Sequence, residues 1–306
     1  MSMLAVELLH IKLPHGITLS CRVAGPVDAP VLVLLHGFPE AAFVWDAIQL
    51  HFGPRYRCIA PNLRGFADSS APNEVEAYRV KHLMADLLAL IHITSPGRPL
   101  AALVAHDWGG AVAWSFAAQH ADALQRLVII NSPHPATFLR ELQHSPSQQA
   151  SSSYMNFLCR PDAQELLVEN DFARLWPFFT NMAANMTTAP ADSWLTEAVK
   201  DQYRAVWDQG LNGALNYYRA SPLKPPLSAD DAVMKLNFTP EFMTVNLPTL
   251  VIWGEADTAL PPALLDGLEP FVPQMRLVRV PSASHWIVHE QPALVAAEIE
   301  QFLAAT

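Results

Sequence analysis

Three residues whose side chains could act together occur in the order Asp107, Asp257, His285, and each follows a run of apolar residues. Leu100-Ala-Ala-Leu-Val-Ala105 precedes the first, Leu247-Pro-Thr-Leu-Val-Ile-Trp253 the second, and Met275–Val280 the third. A nucleophile, an acid and a histidine in that order, each just beyond the carboxyl end of a strand, make a triad in which histidine serves as general base. Asp107 sits in Val104-Ala-His-Asp-Trp-Gly-Gly-Ala111, where a buried strand, a sharp turn and a helix opening on small residues would expose the turn side chain. Read by itself, the same segment also fits a plain helix N-cap, for which Asp is a favoured residue. Trp253-Gly-Glu-Ala-Asp257 offers two carboxylates, Glu255 and Asp257.

An aspartate nucleophile narrows the chemistry. Attack on an ester or amide carbonyl would give an anhydride and gain little, which is why such hydrolases use Ser or Cys. Attack on a saturated carbon bearing a leaving group gives an alkyl ester, and water can then attack the enzyme's own carboxyl carbon. Epoxides and alkyl halides are the substrates that fit. An opening epoxide develops alkoxide character and calls for O–H donors, whereas a departing halide calls for N–H donors and no proton.

The elements that must position these residues follow from hydrophobic periodicity. Strand-like runs at Leu4–Leu13, Ile17–Ala24, Val31–Leu35, Tyr56–Ala60, Leu100–Ala105, Leu124–Asn131, Leu247–Trp253 and Met275–Val280 make eight. They alternate with helical stretches at Phe43–His51, Ala77–Ile91, Gly109–His120, near Pro262–Leu268, and Pro292–Ala305. That rhythm predicts an α/β fold with a mostly parallel sheet covered on both faces. The rhythm stops between Ser132 and Asn246, where proline-broken helices hold 14 of the 28 aromatics. The reading is therefore a core domain formed by residues 1–131 and 247–306, with a helical cap inserted over 132–246. The aromatics of that insertion either form the apolar underside of a lid or pack on one another as a satellite core.

Composition limits the partners. Nineteen Lys and Arg against 29 Asp and Glu give a net charge of −10, which disfavours nucleic acid and anionic membranes. Apolar runs such as Val31–Leu35 are too short to span a bilayer, and Met1–Leu13 lacks the features of a secretory signal. Three widely spaced cysteines, Cys21, Cys58 and Cys159, show no metal or redox spacing. The expectation is a cytoplasmic protein, monomer or homodimer, with no metal and no organic cofactor.

The chain resembles the α/β-hydrolase family, and within it the epoxide hydrolases, over nearly its whole length. The resemblance rests on His36-Gly-Phe-Pro39, Gly65-Phe-Ala-Asp-Ser69, His106-Asp-Trp-Gly-Gly110, Asn131-Ser-Pro-His-Pro135 and Ser284-His-Trp286. It implies the eight-stranded α/β-hydrolase fold and an oxyanion hole made by the backbone N–H groups of Phe38 and Trp108. It also favours Asp257 over Glu255 as the acid that orients His285, and assigns Asp107 as nucleophile. Tyr154, in Ser153-Tyr154 before Phe157, and Tyr218, in Leu215-Asn-Tyr-Tyr-Arg219, resemble the family's two ring-opening tyrosines. Tyr217 is read as packing, His36 as a brace for the oxyanion loop, Glu40 as a cap of the following helix, and His134 and His289 as structural. Trp108, Phe157, Trp176, Phe179 and Trp286 are the expected pocket residues.

Haloalkane dehalogenases, which share the triad, are the nearest alternative, and Trp108 does not discriminate because both branches carry Trp there. Fluoroacetate dehalogenases carry arginines one and four positions after the nucleophile, where this chain has Trp108 and Ala111. A non-catalytic ligand-binding member is the third reading, but no triad member is missing. The expected substrates are a small, neutral, hydrophobic epoxide and water, giving a vicinal diol.

Overall fold

The computed structural model describes residues 5–180 and 194–305. Eight strands form one sheet in the order β1-β2-β4-β3-β5-β6-β7-β8. They are β1 (Glu7–Lys12), β2 (Thr18–Ala24), β3 (Val31–Leu35), β4 (Arg57–Pro61), β5 (Ala102–His106), β6 (Leu127–Ile130), β7 (Thr249–Gly254) and β8 (Met275–Val280). β2 runs antiparallel to both β1 and β4, and every pairing from β4 through β8 is parallel. The central strands are continuous apolar runs because both of their faces are covered: every residue of β3, β5, β6 and β7 is buried. The edge strands differ, with β1 almost wholly exposed and β8 alternating.

Helices α1 (Asp46–Phe52), α2 (Val80–Thr94) and α3 (Asp107–Gln119) connect the first half of the sheet. After β6 the chain leaves the sheet and re-enters it at Thr249. Between lie α4 (Pro135–His144), α5 (Pro146–Ser151), α6 (Tyr154–Leu158), α7 (Ala163–Phe172), α8 (Trp176–Thr180), α9 (Glu197–Trp207), α10 (Asn212–Ala220) and α11 (Pro240–Met243). No strand occurs there among the described residues. After β8 come α12 (Ile287–Glu290) and α13 (Pro292–Ala304), the latter packed beside α1, while α2 packs beside α3. The helix expected near Pro262–Leu268 is only a single 3-10 turn over Pro262–Leu265. Its chain is turned away two residues later, where Gly267 adopts φ 69°.

The inserted helices are fastened to the core by close backbone contact and a few hydrogen bonds. Gly65 (φ 87°) and Gly213 approach so closely that a Cβ on Gly65 would lie 2.8 Å from the Gly213 Cα. Beside them the Tyr217 hydroxyl donates to the Arg64 carbonyl at 2.9 Å, and Trp207 Nε1 donates to the Pro39 carbonyl at 2.7 Å. The Arg64 guanidinium is itself held by a two-pronged pairing with Asp86, at 2.7 and 2.6 Å, both side chains buried. Tyr217 therefore does more than fill space: it ties α10 to this buried ion pair.

Cys21, Cys58 and Cys159 are free thiols, and burial pushes the first two up to about 12, so they are inert. No helix among the described residues is long and apolar enough to cross a membrane.

Because one partner of a buried pair leaves the other uncompensated, Asp86→Ala should cost about 3–5 kcal/mol. For a chain of this size the thermal midpoint should fall by roughly 5–10 °C. A midpoint within a degree of the parent protein would show that the pair does not carry the docking of α10.

Candidate active site

Asp107 stands where β5 gives way to α3, with φ 50° in the left-handed region. A non-glycine residue held there is strained, and the strain persists because its surroundings determine it. Gly109 and Gly110 let α3 start this close to the sheet. A Cβ on Gly109 would lie 2.6 Å from the His36 and Leu35 carbonyls, and one on Gly110 would overlap Ser132. Ser132 Oγ donates to the Asp107 carbonyl at 2.7 Å, bracing the turn from the end of β6. A Cβ on Gly37 would overlap the Asp107 carboxylate itself, so the loop after β3 can close over the nucleophile only with glycine there.

The Phe38 N–H donates to Asp107 Oδ1 at 2.7 Å. Trp108 is the second residue of α3, so its N–H has no intrahelical acceptor. The peptide bond between Phe38 and Pro39 is cis. His36, fully buried, accepts the Leu63 N–H at Nε2 (3.0 Å) and bonds the Gly37 carbonyl at Nδ1 (2.9 Å), fixing the loop from behind. Burial lowers its imidazole to about 4, so it is neutral.

His285 Nε2 lies 3.6 Å from Asp107 Oδ2, and its Nδ1 lies 2.7 Å from Asp257 Oδ2. Asp257 has no exposed side-chain surface and is saturated with donors. Its Oδ1 accepts the Ala259 and Leu260 N–H groups at 2.9 and 2.8 Å, and its Oδ2 accepts Asn131 Nδ2 at 2.9 Å. Glu255, the other carboxylate of that segment, pairs instead with Arg279 at 2.9 Å on the surface. Burial pulls the His285 imidazole down, but the Asp257 and Asp107 carboxylates outweigh it and raise the group to about 9. At neutral pH the resting histidine is an imidazolium between two carboxylates.

Across from Asp107 opens a largely apolar cavity. Asp107, Trp108, Ala111, Phe138, Met155 and Leu260 line it, together with Tyr154 from α6 and Tyr218 from α10. Burial, and the Asp107 charge, hold both tyrosine hydroxyls well above their ordinary range, so they stay protonated. Of the expected pocket residues, only Trp108 lines this cavity. Trp176 and Phe179 pack at a tilt against Trp207 and Tyr203 (centroids 4.7 and 4.6 Å), and Trp176 also carries Arg204 over its face. Trp286 is buried against His285 and Phe179 (4.7 and 4.6 Å), and half-buried Phe157 lies beneath Arg160. Trp176, Phe179 and Trp286 pack on one another and on their aromatic neighbours, away from the space over Asp107, and Phe157 pairs with a cation instead.

A sequence profile described as alpha/beta hydrolase fold matches residues 30–292. The chain belongs to the α/β-hydrolase fold family. This α/β-hydrolase is 36% identical to AB hydrolase superfamily protein YfhM of Bacillus subtilis over 94% of its own length and 95% of that protein's. It is 32% identical to epoxide hydrolase 3 of Xenopus tropicalis over 94% of its length and 75% of the other's. Among solved structures, the Bacillus megaterium epoxide hydrolase in complex with an inhibitor superposes with TM-score 0.86 at 29% identity, covering 97% of this chain and all of that one.

Glu40 overturns one expectation about this α/β-hydrolase. It caps no helix; the 3-10 turn that follows, Ala42–Trp45, has Ala41 at its N-cap and no side-chain cap. Glu40 is 1% exposed and bonded to His289 Nε2 (2.5 Å), the Tyr203 hydroxyl (3.1 Å) and His106 Nδ1 (3.2 Å). Burial would push its carboxyl up, but His289 and His106 hold it below the usual carboxylate range. His106 Nε2 in turn bonds the His285 carbonyl at 2.9 Å, so the network reaches the backbone of the triad histidine. Asn131, directly after β6, holds the Asp257 carboxylate through its side-chain amide.

The raised His285 sets a pH dependence of stability. Its folded value near 9 exceeds the unfolded value of 6.5, so its contribution is full below about pH 6.5 and is lost as pH rises through about 9. His285→Gln removes the titration. The difference in thermal midpoint between parent and variant should shrink steadily from about pH 6.5 to 9.5. A difference that stays constant over that range would mean the imidazolium is not stabilised by its neighbours.

Proposed function

We propose that this α/β-hydrolase is an epoxide hydrolase acting on small, neutral, hydrophobic epoxides through a covalent ester on Asp107. One observation carries the reading: two buried, protonated tyrosine hydroxyls line the same cavity as an aspartate at a strained strand–helix turn. O–H donors are what an opening oxirane requires and a departing halide does not. The relatives named epoxide hydrolase support the same reading.

In the first step Asp107 Oδ2 attacks a ring carbon, the carbon–oxygen bond of the ring breaks, and the ring oxygen takes a proton from Tyr154 or Tyr218. The products are a hydroxyalkyl ester and a tyrosinate, which regains a proton at the expense of the His285 imidazolium and so leaves a neutral imidazole. Esterification cancels the Asp107 charge, one of the charges that raise His285, and so moves the imidazole toward the neutral base. In the second step His285, oriented by Asp257, takes a proton from water as the water oxygen attacks the Asp107 carboxyl carbon. The Phe38 and Trp108 N–H groups hold the oxyanion, each such donor contributing about 3 kcal/mol to the transition state. As the adduct collapses the bond between the carboxyl carbon and Oδ2 breaks, the departing alkoxide takes the remaining proton of the added water, and the diol leaves with Asp107 restored as a carboxylate. With no Lys or Arg on the cavity wall, an anionic substrate would find no partner there.

Removing the base should stall the cycle at the ester. His285→Ala exposed to styrene oxide should gain the mass of one epoxide on the peptide containing Asp107, with hydrolysis slowed about 10²–10⁴-fold. No added mass with any member of a broad epoxide panel would sink the covalent mechanism. Tyr154→Phe and Tyr218→Phe should each lower epoxide turnover about 10²-fold while leaving any bromoalkane turnover much less changed. Halide release from a bromoalkane outpacing diol formation in the parent enzyme would favour the dehalogenase reading.

A further inference from the structure

The cavity opens from Asp107 toward α4, Met155, Leu223 and Leu260, and neither Phe38 nor Phe178 lines it. Those two rings stand on the other side of the tyrosines. Phe178 lies 5.5 Å from Tyr154 and 5.8 Å from Phe38, Phe38 lies 5.3 Å from Tyr218, and Tyr218 lies 6.2 Å from Tyr154. The four rings close a circuit in which every neighbour meets edge to face, at interplanar angles of 89°, 80°, 85° and 77°. Such pairs are attractive as well as space-filling. Phe178 is held from behind, since Trp286 Nε1 donates to its carbonyl at 3.0 Å and Trp286 is wedged against His285. The Phe38 backbone is anchored, because its N–H donates to Asp107.

We propose that Phe178, as the outer ring of this aromatic quartet, closes the Phe38 side of Asp107 and restricts the enzyme to epoxides substituted on one ring carbon only. The inference rests on the epoxide hydrolase reading and goes beyond it to the substrate class. With the ring oxygen on the two tyrosines and one ring carbon at Asp107 Oδ2, the second carbon and its substituents extend into the open cavity. A terminal methylene at the attacked carbon carries only hydrogens toward Phe38 and Phe178. A trans-1,2-disubstituted epoxide puts one group into the cavity and drives the other against the quartet. Two groups on the same carbon both enter the cavity.

Three isomers of one formula separate these cases at nearly constant hydrophobicity: 1,2-epoxyoctane, 2-methyl-1,2-epoxyheptane and trans-2,3-epoxyoctane. The parent enzyme should hydrolyse the first two and be at least about tenfold slower in kcat/KM on the third, the size of effect that a single misplaced methyl produces in a shaped pocket. Phe178→Ala should raise kcat/KM for trans-2,3-epoxyoctane relative to 2-methyl-1,2-epoxyheptane about tenfold. Phe178→Leu, which keeps apolar volume but lacks the flat ring, should shift the ratio in the same direction by a smaller factor and serves if the alanine variant does not fold. Turnover of the trans isomer by the parent within about threefold of the gem-disubstituted one, or an unchanged ratio in the folded variants, would overturn the proposal. Those results leave hydrolysis of 1,2-epoxyoctane intact, whereas failure on every epoxide, this one included, would overturn the functional reading itself.

Discussion

A carboxylate must remain charged while its side chain is only 14% exposed beside an apolar cavity, and the rest of the site is arranged around that demand. An unpartnered carboxylate in such a place costs several kcal/mol. Asp107 has three kinds of partner: the Phe38 N–H, the positive end of α3 and the His285 imidazolium. Each imposes a condition elsewhere in the chain. The first needs glycine at position 37, the second needs the left-handed turn and the two glycines that follow it, and the third needs Asp257 held in place by Asn131 and two backbone donors.

The sheet, the turn at Asp107 and the order of the triad were legible because they are local. Buried parallel strands are continuous apolar runs, and a strand–turn–helix junction has its own spacing of small residues. Glu40 was not legible. Its partners His106, Tyr203 and His289 lie 66, 163 and 249 residues away, and its surroundings in the chain resemble those of an ordinary helix cap. The role of Asn131 was not legible for a similar reason, since the carboxylate it donates to lies 126 residues away. The expected pocket aromatics differ in direction: composition placed Trp176 and Phe179 in the insertion, and the Ser284-His-Trp286 motif placed Trp286 beside His285, but neither says which way a ring faces.

The aromatics of the inserted helices thus divide into two populations. Trp176, Phe179, Tyr203 and Trp207 make a core that holds α8 and α9 together and covers Glu40. Tyr154, Phe178 and Tyr218 join Phe38, from the loop after β3, in a second group of rings beside Asp107. Some aromatics of the insertion therefore pack on one another while Tyr154 and Tyr218 line the cavity. Tyr217 and Tyr218 mark the boundary, one facing Arg64 and the other facing the cavity.

The hydrogen bond from Phe38 reaches only one of the two Asp107 oxygens. In water a carboxylate's oxygens are interchangeable, but here Oδ1 is anchored and Oδ2 is free to react. On the proposed mechanism the alkyl group leaves with Oδ2, and the vacancy is filled from solvent. The protein would then surrender one of its own atoms to every diol and replace it from water, while the anchored oxygen stays for the lifetime of the molecule. On that mechanism Asp107 would be partly consumable, renewed at one position with each cycle.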